Sequence, residues 1–237
     1  MVDLIGDREV AQYRRRNYEF FTTLLLEPPS DELVDFMASE RGLLKERPPG
    51  EEPGEGWREM AEMVSLSLGR LGEFAEELRD EFTALFIGPQ GYILQPYESY
   101  QLTGALMGAP LLEVKEFCRR AGFEKEEGFK EFEDHAAYEL ELMRQLILKQ
   151  ERAEDPEGEA AWLSLQREFL HKHLLRWLSD FLGELERHRR AQFYKGLAIA
   201  ARNFLELEED LFRLSETDWG GGAKPAALGH DLPRDSG

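Results

Sequence analysis

The chain has 237 residues, 42% of them hydrophobic and 32% charged, with 48 acidic against 29 basic side chains and a formal net charge of −19. That balance argues against a nucleic-acid binder, which needs Lys and Arg to displace counterions from phosphates, and against an anionic membrane surface. It leaves two readings open: acidity that only keeps the protein soluble, or a cationic partner such as a positively charged peptide.

In chain order the apolar residues recur at helical steps, and no stretch alternates with a period of two. A first helix is expected over about Asp7–Leu26, stopped by Pro28-Pro29, where proline lacks a backbone donor and clashes with the preceding turn. Its Arg14-Arg15-Arg16 run is not read as an export signal. The apolar stretch after it is short, interrupted by Thr22-Thr23 and ended by Glu27. Ser30 is expected to cap a second helix. Residues 47–56, rich in Pro, Gly and Glu, form a loop. Helices follow from about Trp57 and over 73–86, then Gly88-Pro89-Gln90-Gly91 turns. Further helices start near Ser99 and Leu111, and another opens with Asp134-His135 in its first turn. Asp155-Pro156 is an N-cap and first helical position. The final helical block runs over 157–214, with breaks near Gly183 and Arg189, and 215–237 is expected to be a disordered tail. The fold class is all-α: a single helical bundle over 1–214, or two closely packed helical halves with a hinge near 149–156.

A single cysteine, Cys118, cannot form an intramolecular disulfide and lies among Val114, Phe117 and Ala121 as a small core residue. No segment approaches the roughly 20 apolar residues of a membrane span. The expected location is the cytoplasm.

Three clusters stand out. Phe82, Leu85 and Phe86 form an apolar stripe ahead of Pro96-Tyr97-Glu98-Ser99-Tyr100. Glu131, Asp134 and His135 sit at the start of an amphipathic helix. Phe169, Leu170, His173, Trp177 and Phe181 make the third. The first stripe is either core or the floor of a groove. Asp134 either caps its helix or, with His135, accepts hydrogen bonds from a guanidinium, whose fork matches a carboxylate. On the second view both residues are exposed, and replacing both with alanine changes stability by less than about 1 kcal/mol. The third cluster is a core stripe, with His173 a satisfied buried histidine.

In order and spacing these clusters resemble the TorD/DmsD/NarJ family of redox-enzyme maturation chaperones over roughly residues 10–212. Glu131, Asp134 and His135 match a Glu and an Asp-His pair to which the family's ligand binding is attributed. The proline that members carry just ahead of Asp-His is missing here, with Phe132 and Glu133 in those places. The resemblance implies a TorD-like helical fold and a non-catalytic chaperone without a cofactor of its own. Its partner would be the apo form of a molybdenum- or tungsten-containing oxidoreductase and that client's twin-arginine leader. The chaperone would assist cofactor insertion and delay export until assembly. Phe82, Leu85, Phe86, Pro96 and Tyr97 would form the groove floor. Glu98, Glu131, Asp134 and His135 would supply polar recognition, and Ser99 would shape the loop.

Two alternatives remain open. Glu168-x-x-His171 is half of a di-iron helix-bundle signature, which needs a second such pair and two more glutamates on facing helices; no second pair is present. A generic acidic helical interaction protein with an unrelated partner is the other. No phosphate loop, nucleophile elbow or paired-cysteine motif occurs.

Overall fold

The computed structural model describes residues 5–39, 54–88 and 93–218. Among them lie ten α-helices and no strand. They are α1 (Arg8–Leu26), α2 (Asp31–Ala38), α3 (Glu55–Leu66), α4 (Leu71–Phe82), α5 (Glu98–Thr103), α6 (Ala109–Ala121), α7 (Ala136–Glu151), α8 (Pro156–Phe169), α9 (Leu175–Arg187) and α10 (Phe193–Asp218). Two π-helical turns, Thr83–Ile87 and Leu170–Leu174, follow α4 and α8 without a break. The turn expected at Pro89–Gly91, most of the loop expected over 47–56 and the part of the expected tail over 219–237 lie outside the described residues.

Local chemistry accounts for several helix starts. Asp7 accepts from the Glu9 and Val10 amides to open α1, Ser30 accepts from Leu33 to open α2, and Asp155 accepts from Gly158 at 2.7 Å with Pro156 beside it. Another start is long-range. The Glu81 carboxylate of α4 accepts from the amides of Gln192, Phe193 and Tyr194 at 2.7, 3.3 and 3.0 Å. It thereby caps α10 from a different helix, where orphan amides and partial positive charge gather.

Helix α1 packs on α7, α7 on α8, and α10 on both α3 and α9. The core joins them through Tyr18, Phe21, Leu24, Met143, Leu146, Phe169, Trp177, Phe181 and Phe204, all nearly inaccessible. Helices α3 and α10 touch backbone to backbone: a Cβ built on Gly56 would stand 2.2 Å from the Gly196 carbonyl oxygen. Only glycine fits there.

Two expectations on boundaries are corrected. Gly183 does not break a helix: it lies inside α9, and the one break in that block falls at 188–192, as expected near Arg189. Helix α10 runs on to Asp218, past the expected end at 214.

Candidate functional site

The Pro96–Ser99 bend and the Glu131–His135 corner meet directly. Tyr97 and His135 form an isolated antiparallel bridge. The Glu98 amide donates to the Asp134 carbonyl and the Ala136 amide to the Pro96 carbonyl, both at 2.8 Å. This short ladder joins the N-termini of α5 and α7, and each end is capped by a side chain. Asp134 Oδ2 accepts from the Ser99 amide at 3.0 Å, capping α5 from 35 residues away. His135 Nδ1 accepts from the Ala137 amide at 3.1 Å and is the N-cap of α7. The sequence expectation is therefore corrected: Asp134 and His135 precede α7 rather than occupying its first turn, and the carboxylate serves the other helix.

To accept at Nδ1, the imidazole must be neutral. Burial pushes its pKa down to about 4, against an opposing pull from Glu131. Tyr97 packs edge-on to this ring with centroids 4.9 Å apart, and its hydroxyl donates to Glu131. Burial raises the Tyr97 hydroxyl first, and the bond to Glu131 adds to it. Tyr97 and Glu131 are partly exposed, as is Phe86.

The remaining expected contacts are not on the surface. Glu98, Ser99 and Asp134 are 0% exposed and His135 is 4% exposed, so the expectation of an open acidic rim built from them is corrected. Part of their hydrogen-bonding capacity is spent on the frame. Glu98 Oε2 lies 2.9 Å from His173 Nδ1, and Glu98 Oε1 lies 3.5 Å from Arg176 Nη1. Phe82 and Leu85 are core residues and Pro96 is buried. Phe86, partly exposed, meets Phe82 at a tilt with centroids 4.9 Å apart and Tyr194 edge-on at 5.7 Å. The expected groove floor is thus packed as core, with Phe86 its accessible member.

Glu139 is the participant that sequence reasoning missed. It is fully buried on α7, and its Oε2 accepts from Trp177 Nε1 at 3.0 Å. Burial, then the neighbouring Glu98, raise its pKa well above its ordinary value. A signal was available: Glu139 falls three after Ala136 and four before Met143, inside the apolar stripe. One oxygen each of Glu98, Asp134 and Glu139, together with Ser99 Oγ, has no hydrogen-bond partner by heavy-atom geometry. A carboxyl proton on Glu139 gives Glu98 a donor within this group. Both π turns border the site: Leu85 in the first accepts from the Leu94 amide, and the second carries His173. A π turn adds a residue to a helical turn, and hydrophobic periodicity does not reveal it.

The metal alternative finds no support in the geometry. Glu168 is engaged by Arg120 at 2.7 Å and Lys172 at 3.0 Å. Among the described residues, no group of three or more His, Cys, Asp or Glu is arranged to hold a metal ion. Cys118 is buried, and burial pushes its thiol up to about 11, which removes it as a nucleophile. Among the described residues, no helix is long and apolar enough to cross a membrane.

The chain was compared with known proteins. It is 34% identical over 122 residues to a perchlorate reductase assembly chaperone protein of Dechloromonas aromatica, covering 50% of this chain and 54% of that one. The chain thus spans about half the length of that relative. It is 28% identical over 156 residues to chaperone protein TorD of Vibrio cholerae, covering 64% and 70%. A crystal structure described as a candidate redox enzyme maturation protein from Archaeoglobus fulgidus covers 75% of this chain and 94% of its own, with 23% identity and a TM-score of 0.36. Neither named relative is called a catalyst. The sequence model of the nitrate reductase delta subunit family matches residues 51–183, more than half the chain and both segments of the site. This chain belongs to that family, the TorD/NarJ group of redox-enzyme maturation chaperones.

Proposed function

We propose that this chain is a cytoplasmic, non-catalytic chaperone for a molybdenum- or tungsten-containing oxidoreductase. It binds the apo catalytic subunit and that client's twin-arginine leader, keeps the client open for cofactor insertion, and delays export until assembly is complete. The observation that carries this reading is the junction of Pro96–Ser99 with Glu131–His135, inside the segment that matches the family. Relatives named as a perchlorate reductase assembly chaperone and as TorD chaperones support the class of partner.

The exposures suggest a division of labour. Tyr97 and Phe86 offer apolar surface to the leader, and Glu131 accepts from a guanidinium at the rim. Phe82, Leu85 and Pro96 support that surface from below. Glu98, Ser99, Asp134 and His135 fix the two helix ends that hold Tyr97 and Glu131 in place. Release follows from differential binding, when the client folds or the export machinery competes for the leader.

Titration calorimetry of the full chain with a synthetic twin-arginine leader peptide tests the reading. The arginine peptide is expected to bind about tenfold tighter than its Gln-Gln counterpart, roughly 1.4 kcal/mol. Equal affinities would remove the charge component, and no binding by either peptide would remove leader recognition altogether.

A further inference from the structure

The turn between α9 and α10 runs against the charge of the rest of the chain. In a protein with 48 acidic and 29 basic side chains, this turn reads Arg187-His188-Arg189-Arg190, with the three arginines exposed and His188 partly so. None of the three guanidiniums makes an ion pair or a side-chain hydrogen bond among the described residues. Other cations on the following helix do: Lys195 is held by Glu59 at 3.4 Å and Arg202 by Glu186 at 2.7 Å. Glu184, one helical turn before Arg187, is exposed and does not engage it. The backbone fixes the cluster. The His188 amide donates to the Leu185 carbonyl, the Ala191 amide to the His188 carbonyl at 2.9 Å, and the Arg190 amide to His188 Nδ1 at 3.3 Å. These bonds close a tight turn with Arg189 and Arg190 at its two central positions. Arg187 lies back over Gly183, where a built Cβ would stand 3.2 Å from its Nη1.

We propose that this turn is a docking surface for a short acidic segment of a partner protein, one carrying clustered Asp or Glu side chains. It shares no residue with the Tyr97–Glu131 pair, and a cationic leader is repelled by it, so the surface is separate from the leader reading above. Like charges held this close repel one another, and carboxylates placed among them remove that cost. The extent of the patch selects among anions. It is a single turn wide in a chain of net charge −19. A nucleic acid or an anionic bilayer reaches past it onto acidic surface, and repulsion acts there over a Debye length of about 8 Å. A segment with a few carboxylates stays within the patch. A phosphate group is cradled by free backbone amides, and here those donors are spent. Gln192, Phe193 and Tyr194 donate to Glu81, and Arg190 and Ala191 donate to His188. What remains is a set of guanidinium forks on side chains, and each fork matches one carboxylate.

The test is an amide NMR titration of the full chain with a synthetic peptide of alternating Asp and Glu and with its Asn/Gln counterpart. The acidic peptide is expected to shift the amides of residues 187–191 saturably, and the neutral one is not. Arg187→Gln, Arg189→Gln and Arg190→Gln together are expected to weaken acidic-peptide binding about tenfold. Arg189→Lys with Arg190→Lys keeps the charge, removes two forks and is expected to weaken it about threefold. All the substituted side chains are exposed, so the fold is retained; if the glutamine variant fails to fold, the lysine variant decides alone. Equal binding of the two peptides, shifts that lie elsewhere, or affinity unchanged in these variants overturns the proposal. Tighter binding at this turn by inorganic phosphate, phosphatidylglycerol vesicles or duplex DNA than by the acidic peptide overturns it as well. None of these results bears on the leader reading, whose peptide carries the opposite charge.

Discussion

Two of the buried polar assemblies among the described residues are built on opposite principles. Between α1 and α10, Arg14 donates to both oxygens of Glu208 at 2.6 and 2.8 Å, and Tyr18 donates to the same carboxylate at 2.8 Å. All three are 0% exposed, and one cation meets one anion. Between α5, α7 and α9, by contrast, three buried carboxyl groups (Glu98, Asp134 and Glu139) meet one imidazole and one arginine at the edge. Several of their oxygens lack donors. The first assembly balances one cation against one anion, although Arg14 Nη1 itself finds no hydrogen-bond partner. The second gathers more acidic groups than cations beside the partly exposed Tyr97–Glu131 pair, and burying such an imbalance costs stability.

The comparison can be broken most sharply at the balanced tie. Glu208→Ala strands the Arg14 guanidinium and the Tyr18 hydroxyl and is expected to cost about 3–5 kcal/mol in urea unfolding, whereas Arg14→Met with Glu208→Leu and Tyr18→Phe, which removes all three polar partners, is expected to be near neutral or stabilising. A triple variant as damaging as the single one would mean that the tie is more than structural. The next effect concerns acid. His135 is held neutral, with a pKa near 4 against an ordinary 6.5, so its unfolded form binds more protons between those values. Stability is therefore full above about pH 6.5 and falls as pH drops toward 4, by an amount on the order of 3 kcal/mol. His135→Asn, which keeps an N-cap acceptor, should flatten the thermal-midpoint profile across that window.

Asp134→Ala comes third, at about 1–3 kcal/mol, since it removes the cap of α5 from a buried position. A cost near zero would restore the exposed-residue expectation. The smallest effect is Glu139→Gln, within about 1 kcal/mol, because the amide oxygen still accepts from Trp177 Nε1. Its signature is in the pH profile. A carboxyl whose folded pKa is raised contributes stability at low pH and loses it as pH rises through that pKa, and the glutamine variant has nothing to lose. Parallel melting curves for wild type and variant at every pH would show that folding does not raise the Glu139 pKa.

How far these regions were legible from sequence follows from how local their determinants are. Asp7, Ser30 and Asp155-Pro156 announced their helix starts because cap and amide are two or three residues apart. His173 was expected to be buried and satisfied, and it is. The pairing of Asp134 with α5 was invisible, since donor and acceptor lie 35 positions apart, and so was the cap that Glu81 places on α10 from over 100 positions away. The burial of Glu98 escaped for the same reason: its partner His173 is 75 residues distant. Nothing local in the Arg14-Arg15-Arg16 run marks Arg14 as the arginine that pairs with Glu208, 194 positions away on α10.

The most direct measurement is affinity purification of the tagged full chain from extracts of its native cells, with mass spectrometry and metal analysis of what comes with it. The wild-type chain should recover the catalytic subunit of a molybdenum- or tungsten-containing oxidoreductase in its cofactor-free form, and the Tyr97→Ala, Glu131→Gln variant should recover far less at equal folded yield. Recovery of the cofactor-loaded enzyme, of an unrelated partner, or of the same apo subunit undiminished by that variant would contradict the account.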